Sequence, residues 1–82
     1  MIFGVYAMRD RVADYYTSFN LDHNDQSAIR NFQLAMADDS FKFCPSDFEL
    51  CKLGTFDNIT GKLDGSLPSI LCVGKEKEDD NV

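Results

Sequence analysis

The thiols and the imidazole are the first groups to consider for chemistry. The chain has three cysteines, Cys44, Cys51 and Cys72, and a single histidine, His23. A nucleophilic cysteine needs a nearby base, so only His23 is available, and free cysteines commonly serve as small buried apolar residues. Cys44 and Cys51 also lack the close Cys-x-x-Cys spacing of structural zinc sites. We therefore predict neither cysteine catalysis nor a metal site.

Carboxylates and glycines give no stronger indication of catalysis. The pairs Asp38-Asp39 and Asp79-Asp80 are sequence neighbours, whose side chains usually diverge into solvent. The spacing of the glycines matches neither a phosphate-binding loop nor a dinucleotide-binding turn. We expect no enzymatic activity and no cofactor.

Cations beside aromatic rings are the remaining candidates, because single-stranded DNA is bound by stacking platforms flanked by positive charge. The best collection in this chain is Arg9, Arg11, Tyr15, Tyr16 and Arg30. In a hairpin of the first two strands, the two nearby arginines lie at the turn. One of the adjacent tyrosines is then expected to face the core and the other to be free. The alternative interpretation is an ordinary exposed turn followed by a half-buried strand.

Net charge opposes nucleic-acid binding. The chain carries a net charge of −6 and has a pI near 4.4. Four acids and two lysines at the carboxyl terminus account for −2 of this, which leaves −4 for residues 1–74. Nonspecific DNA binding depends on neutralising phosphates with Lys and Arg, so any DNA site must be a local patch. The odd number of cysteines and the lack of an export signal or a long apolar segment indicate a reducing cytoplasm and no membrane attachment.

The amino-terminal part of the chain predicts a hairpin. Residues 2–8 form a short apolar run rich in strand-forming residues. Residues 12–19 alternate in a way that suits a second strand, with a helix as the competing interpretation. The polar residues 20–25 then interrupt the pattern.

A helix follows this polar segment. Asn24 is a suitable N-cap, and Asp25 lies where the helix dipole favours negative charge. An apolar stripe with helical spacing comes next, formed by Ala28, Ile29, Phe32, Ala35 and Met36. The helix is expected to end near Ala37 or Asp38.

The carboxyl-terminal part predicts a second hairpin. Residues 48–56 read as a strand with Phe48, Leu50 and Phe56 on one face, and residues 57–61 as a turn. Residues 62–64 suit a short return strand that residues 65–68 break. Residues 69–73 are then either an edge strand or a segment packed over the core. Residues 1–74 are expected to form one domain, and the acidic residues 75–82 a disordered tail.

The resulting fold class is α+β: a β-hairpin, one helix and a second β-hairpin, with the helix packed across a small, mainly antiparallel sheet. Such a sheet leaves a face or an edge open. Pairing with a second copy would cover that surface, so we expect a homodimer.

The chain also resembles a known family, the small nonstructural protein of gokushovirus-type microviruses, which are tail-less bacteriophages with single-stranded DNA. The likeness covers most of the chain. It rests on Tyr6-Ala7-Met8-Arg9-Asp10, Ala13, Asn24-Asp25, Ala28-Ile29-Arg30, Phe32, Pro45, Asp47, Phe48, Leu50, Leu53-Gly54, Phe56-Asp57 and Thr60-Gly61.

The resemblance implies a non-virion accessory protein in the cytoplasm of an infected bacterium. Such a protein would act in replication of the phage genome or in the switch to single-strand synthesis, by binding single-stranded DNA. The alternative from the residues is a protein-interaction module, itself a homodimer, that contacts a viral or host replication or assembly component without binding DNA.

Overall fold

Two antiparallel hairpins flank one helix along the chain. The computed structural model describes residues 1–75, and the predicted disorder of the tail concerns residues that lie almost entirely outside this range. The elements are β1 (Ile2–Asp10), β2 (Tyr15–Asp22), α1 (Asp25–Met36), a 3₁₀ turn (Pro45–Asp47), β3 (Phe48–Asp57) and β4 (Leu63–Val73). The predicted hairpin–helix–hairpin order is confirmed, and the fold is α+β with the sheet as its larger part.

The four strands form a single sheet in the order β2-β1-β3-β4, with every neighbouring pair antiparallel. The central pair, β1 and β3, joins the two hairpins over its whole length, from Ile2 opposite Asp57 to Asp10 opposite Phe48. The two outer strands, β2 and β4, therefore each present one free edge.

The helix forms where the sequence predicts it. The Asn24 side-chain oxygen accepts a hydrogen bond from the Ser27 N–H at 2.8 Å, which satisfies a free donor of the first turn. The helix ends at Met36 with Ala37 as its cap, as expected. Its apolar side covers one face of the sheet, and the buried core consists of Tyr6, Met8, Ala28, Phe32, Met36 and Leu50.

The first hairpin is shifted relative to the prediction. β1 continues through Asp10, whose carboxylate accepts from the N–H groups of Val12 and Ala13 at 3.0 Å each and so holds the turn. β2 then begins at Tyr15 and continues through the polar residues to Asp22. The alternative interpretation of residues 12–19 as a helix is therefore wrong. Ser18 has φ 56° beside a bulge in the β1–β2 pairing.

A bulge in β3 overturns one prediction about its faces. Tyr6 pairs with Lys52, but the residue before it in β1, Val5, pairs with Gly54, so Leu53 is an extra residue in β3. Because an extra residue reverses the alternation of side chains, Phe56 lies on the opposite face from Leu50. The expectation that they share a face is wrong.

The second hairpin is also more continuous than predicted. β4 runs unbroken from Leu63 to Val73, so the break expected at residues 65–68 is wrong. Lys52 pairs with Ser69 and Gly54 with Gly65, which leaves residues 66–68 opposite Leu53 alone. An outer strand tolerates this irregularity and its proline, since it has a neighbour on only one side. Residues 69–73 are thus an edge strand, the first of the two alternatives.

Candidate nucleic-acid interface

The two arginines of the first hairpin converge on one buried carboxylate. Glu49 is only 3% exposed and lies opposite Arg9 in the β1–β3 pairing. Arg9 donates to Glu49 Oε1 at 3.0 Å and also to Asp14 across the turn. Arg11 places its Nε 3.9 Å from the second Glu49 oxygen and donates to the Ser46 carbonyl at 2.9 Å. These contacts tie the hairpin turn to the start of β3.

These contacts leave the guanidinium groups of the two arginines less available to bind a phosphate. Hydrogen bonds to Asp14 and then Glu49 raise the pKa of Arg9, and its guanidinium is already shared between two carboxylates. Arg11 is about half exposed and has one longer ion contact. Of the two, Arg11 is therefore the better phosphate ligand.

Both tyrosines of the predicted site are exposed. Tyr15 is 54% and Tyr16 46% exposed, so the expectation that one faces the core is wrong. The reason is their position at the start of an outer strand, beside the hairpin turn. Tyr15 pairs with Asp10 and Tyr16 with Arg9, and successive residues of a strand point to opposite faces. The two rings therefore lie on either side of the β2 edge.

Arg30 is separate from this group. It is exposed on α1, whereas Ala28 and Phe32, two residues away on either side, are buried against the sheet. Because two residues correspond to about 200° around a helix, Arg30 lies on the side away from the sheet. The structure thus brings together four of the five predicted residues.

Phe19 is a further aromatic residue at this edge and is not among the predicted site residues. It is 65% exposed and lines a groove of about 350 Å³ between α1 and β2. Core residues, including Met8 and Phe32, also line it, as do Asn20 and Asn31, and the Asn31 Nδ2 donates to Asp22 at 2.8 Å. The three aromatic residues within residues 15–19 are the feature of the sequence that could have indicated Phe19. We refer to Tyr15, Tyr16 and Phe19 as the β2 aromatic edge.

Several of the other cations are paired with acids. Lys42 lies 2.8 Å from Asp39, and Lys62 lies 3.7 Å from Asp64. Lys52 reaches Asp25 at 3.0 Å, next to the start of the helix. Within residues 1–75, Arg9, Arg11, Lys42, Lys52 and Lys62 thus each lie within 4.0 Å of a carboxylate oxygen.

A second polar cluster fixes the helix to the sheet. The Tyr6 hydroxyl, which is fully buried, donates to Asp25 Oδ1 at 2.7 Å, and Lys52 Nζ contacts the same oxygen. Hydrogen bonds from Tyr6 and then Lys52 lower the pKa of Asp25. Burial, followed by the bond to Asp25, raises the pKa of Tyr6. The tyrosine is therefore a neutral hydrogen-bond donor with a structural role.

Two of the three thiols, those of Cys51 and Cys72, are poor nucleophiles. Burial raises the pKa of Cys51 and of Cys72, which disfavours the nucleophilic thiolate. The His23 ring packs against Phe3, with the ring centroids 5.3 Å apart. Within residues 1–75, no group of three or more His, Cys, Asp or Glu side chains is arranged to hold a metal ion. In the same range, no helix has the length and apolar character needed to cross a membrane.

The fold and the β2 aromatic edge define a class of small α+β protein, with one helix on a four-stranded antiparallel sheet and aromatic rings along an outer strand. Residues 3–77 match the family described as Phage ORF5 protein, so the chain belongs to that family. No curated protein and no solved structure matches it. The predicted phage origin is confirmed, while the gokushovirus type and the DNA-binding role remain predictions.

Proposed function

We propose that this phage protein is a non-catalytic accessory factor that binds single-stranded DNA during genome replication, or during the switch to single-strand synthesis, in the cytoplasm of the host bacterium. The observation that carries the proposal is the β2 aromatic edge. Its three rings are exposed on one outer strand, which starts just after the turn that contains Arg11. Membership of a phage family supports an accessory role in a phage, and the resemblance to gokushovirus proteins suggests the part in replication and DNA binding.

Stacking supplies most of the affinity in this proposal. Each base stacked on an aromatic side chain contributes about 1–3 kcal/mol, and the sequence of the DNA matters little. Phe19 lines the groove beside α1 together with Asn20 and Asn31, and the Asn31 Nδ2 already donates to Asp22 at 2.8 Å. A base stacked on Phe19 would thus lie beside polar residues. Because Tyr15 and Tyr16 point to opposite faces, only one of the two rings can contact a neighbouring base on the same face.

Electrostatics contributes little, because the arginines and lysines are mostly paired. With Arg11 as the main free cation at the edge, roughly one or two phosphates are neutralised, and the logarithm of affinity should fall with that of salt concentration with a slope of about −1. A steep salt dependence would indicate binding elsewhere.

Fluorescence anisotropy with a labelled oligothymidylate tests the proposal directly. Replacing Phe19 with alanine should weaken binding by about fivefold or more, the lower limit for one lost stacking contact. Phe43→Ala is the matched control, because Phe43 is even more exposed than Phe19, at 83% against 65%, but lies in the linker before β3. Arg11→Ala should lower affinity and flatten the salt dependence. Absence of binding at every salt concentration, or equal effects of the two phenylalanine variants, would refute the proposal.

A second candidate function is a protein-interaction module that contacts a viral or host replication or assembly component. The internal pairing of cations and the net charge of −6 favour it, because they weaken attraction to DNA. A photo-crosslinking residue at position 19, compared with one at position 43, distinguishes the two functions in infected cells. Crosslinks to one defined protein only from position 19 support the module, whereas crosslinks to DNA from that position support the first proposal.

A further inference from the structure

The groove between α1 and β2 has a volume of about 350 Å³, near the lower end of the range for small-ligand sites in proteins. Its lining is mostly apolar. Met8, Phe32 and Leu50 line it from the core, and Phe19 lines it from β2. A groove of this size and character suits a single small ring compound.

Charge determines which kind of group can enter the groove. No charged residue within residues 1–75 lines it, and the carboxylate of Asp22 contacts its lining at Asn31. A phosphate placed there would lose hydration beside apolar side chains and would also approach a carboxylate. The groove therefore favours an uncharged group and leaves the phosphates of a bound strand outside.

Polar atoms in the lining distinguish a nucleobase from an apolar side chain. Ser18, Asn20 and Asn31 contribute to the lining, and the Asn31 Nδ2 donates to Asp22, so its Oδ1 remains an acceptor. A purely apolar side chain in the groove would cover these polar atoms without replacing their hydrogen bonds to water, which costs free energy. A base presents an apolar face together with N–H and C=O groups at its edge, so it suits both parts of the lining.

We propose that this groove holds one base of the bound single strand and that it selects thymine. The inference rests on the proposed DNA binding and specifies where and how a base is recognised. Thymine carries a methyl group, and apolar contact with that methyl favours it over other bases. Met8, Phe32 and Leu50 provide such contacts in the groove.

The pairing of β1 with β2 shows which tyrosine lies on the same face as the groove. Tyr15 is opposite Asp10, which is two positions from the core residue Met8, so Tyr15 lies on the helix-covered face. Tyr16 is opposite Arg9 and lies on the other face. A strand with one base in the groove can therefore place a neighbouring base on Tyr15 and not on Tyr16.

Fluorescence anisotropy with two oligonucleotides that differ only in the thymine methyl, oligothymidylate and oligodeoxyuridylate, tests the selection. The thymine oligomer should bind about fourfold more tightly, the effect of burying one further carbon. Ala35→Leu enlarges an exposed residue of the lining and should weaken thymine binding at least about fivefold and abolish the preference. Ala37→Leu is the matched control, because Ala37 is also exposed but lies at the end of α1 outside the groove.

The two tyrosines provide a second matched pair. Tyr15→Ala should weaken binding of the thymine oligomer about fivefold or more, whereas Tyr16→Ala should change it less than about twofold. Equal affinities for the two oligonucleotides, or equal effects of the two leucine variants, would overturn the assignment of the groove while leaving the proposed DNA binding in place.

Nuclear magnetic resonance with thymidine tests the groove without DNA, because the nucleoside has no phosphate. Thymidine at roughly millimolar concentration should shift the amide signals of Ala28, Phe32 and Ala35, and deoxyuridine should do so more weakly. Such shifts, combined with no binding of any oligonucleotide, would support the base site and refute the proposed DNA binding. Shifts produced by N-acetyl-leucinamide but not by thymidine would overturn the inference in favour of an apolar protein side chain.

Discussion

Replacing Tyr6 with phenylalanine removes one hydroxyl from the centre of the fold and leaves the ring in place. The Tyr6 hydroxyl donates to Asp25 at 2.7 Å, and this is its one hydrogen bond in the described part of the chain. A hydrogen bond to a charged group contributes about 1.5–3 kcal/mol. Asp25 is 38% exposed and keeps its contact with Lys52, which places the expected loss near the lower limit, at about 1.5 kcal/mol.

Urea unfolding at pH 7 measures this loss, and thermal unfolding should show a melting temperature lower by about 6–12 °C, given about 4–8 °C per kcal/mol for a domain of this size. Tyr16→Phe is the matched control. That ring lies at the solvent-exposed edge, so its hydroxyl should contribute less than about 0.5 kcal/mol.

The pH dependence of the stability that this hydrogen bond contributes follows from the lowered pKa of Asp25. Because the folded pKa lies below the unfolded value of about 3.9, the stabilisation is complete above that value and is lost as pH falls through the folded pKa. The difference between wild type and Tyr6→Phe should therefore be constant from pH 7 to about pH 5 and should narrow below about pH 4. A difference under about 0.3 kcal/mol at pH 7, or one that grows in acid, would refute the assigned role.

Three further substitutions test other parts of the fold. Asn24→Ala removes the N-cap and should cost about 1 kcal/mol in urea unfolding, whereas Asn24→Ser should restore most of it. Gly4→Ala would place a Cβ 2.1 Å from the Tyr6 hydroxyl, and because that ring is fully buried it should cost about 2 kcal/mol or more by the same assay. Glu49→Gln should destabilise the fold by about 1–3 kcal/mol yet increase single-stranded DNA affinity in the anisotropy assay, because it removes the carboxylate that Arg11 contacts, while Arg9 keeps its bond to Asp14. If Asn24→Ala, Gly4→Ala or Glu49→Gln left the free energy of unfolding unchanged, the contact assigned to that residue would be contradicted. Weaker DNA binding by Glu49→Gln would likewise contradict the role assigned to Glu49.

Features determined by neighbouring residues could be predicted from the sequence. The cap at Asn24 and the spacing of Ala28 and Phe32 are local, and the helix begins and ends where they indicate. The strand β3 and the turn after it follow from short patterns of the same kind.

Features determined by distant pairing could not be predicted. The glycine and proline of β4 resemble a break in the sequence, but alignment against β3 holds them in a continuous strand. The bulge at Leu53 exists only in relation to β1. At the candidate site, Arg9 and Glu49 are 40 positions apart, so no local pattern of residues indicates that the arginine is already paired.

The position of β1 and β3 in the middle of the sheet has a consequence for how the chain folds. Each hairpin closes over a short turn, but all strand pairing between the two halves of the chain passes through this one central pair. Bringing β1 and β3 together closes a loop that contains the whole of β2 and α1, which is the largest entropic cost in the topology. Joining of the two preformed hairpins should therefore limit the folding rate, with the helix packing onto the sheet as the central strands align.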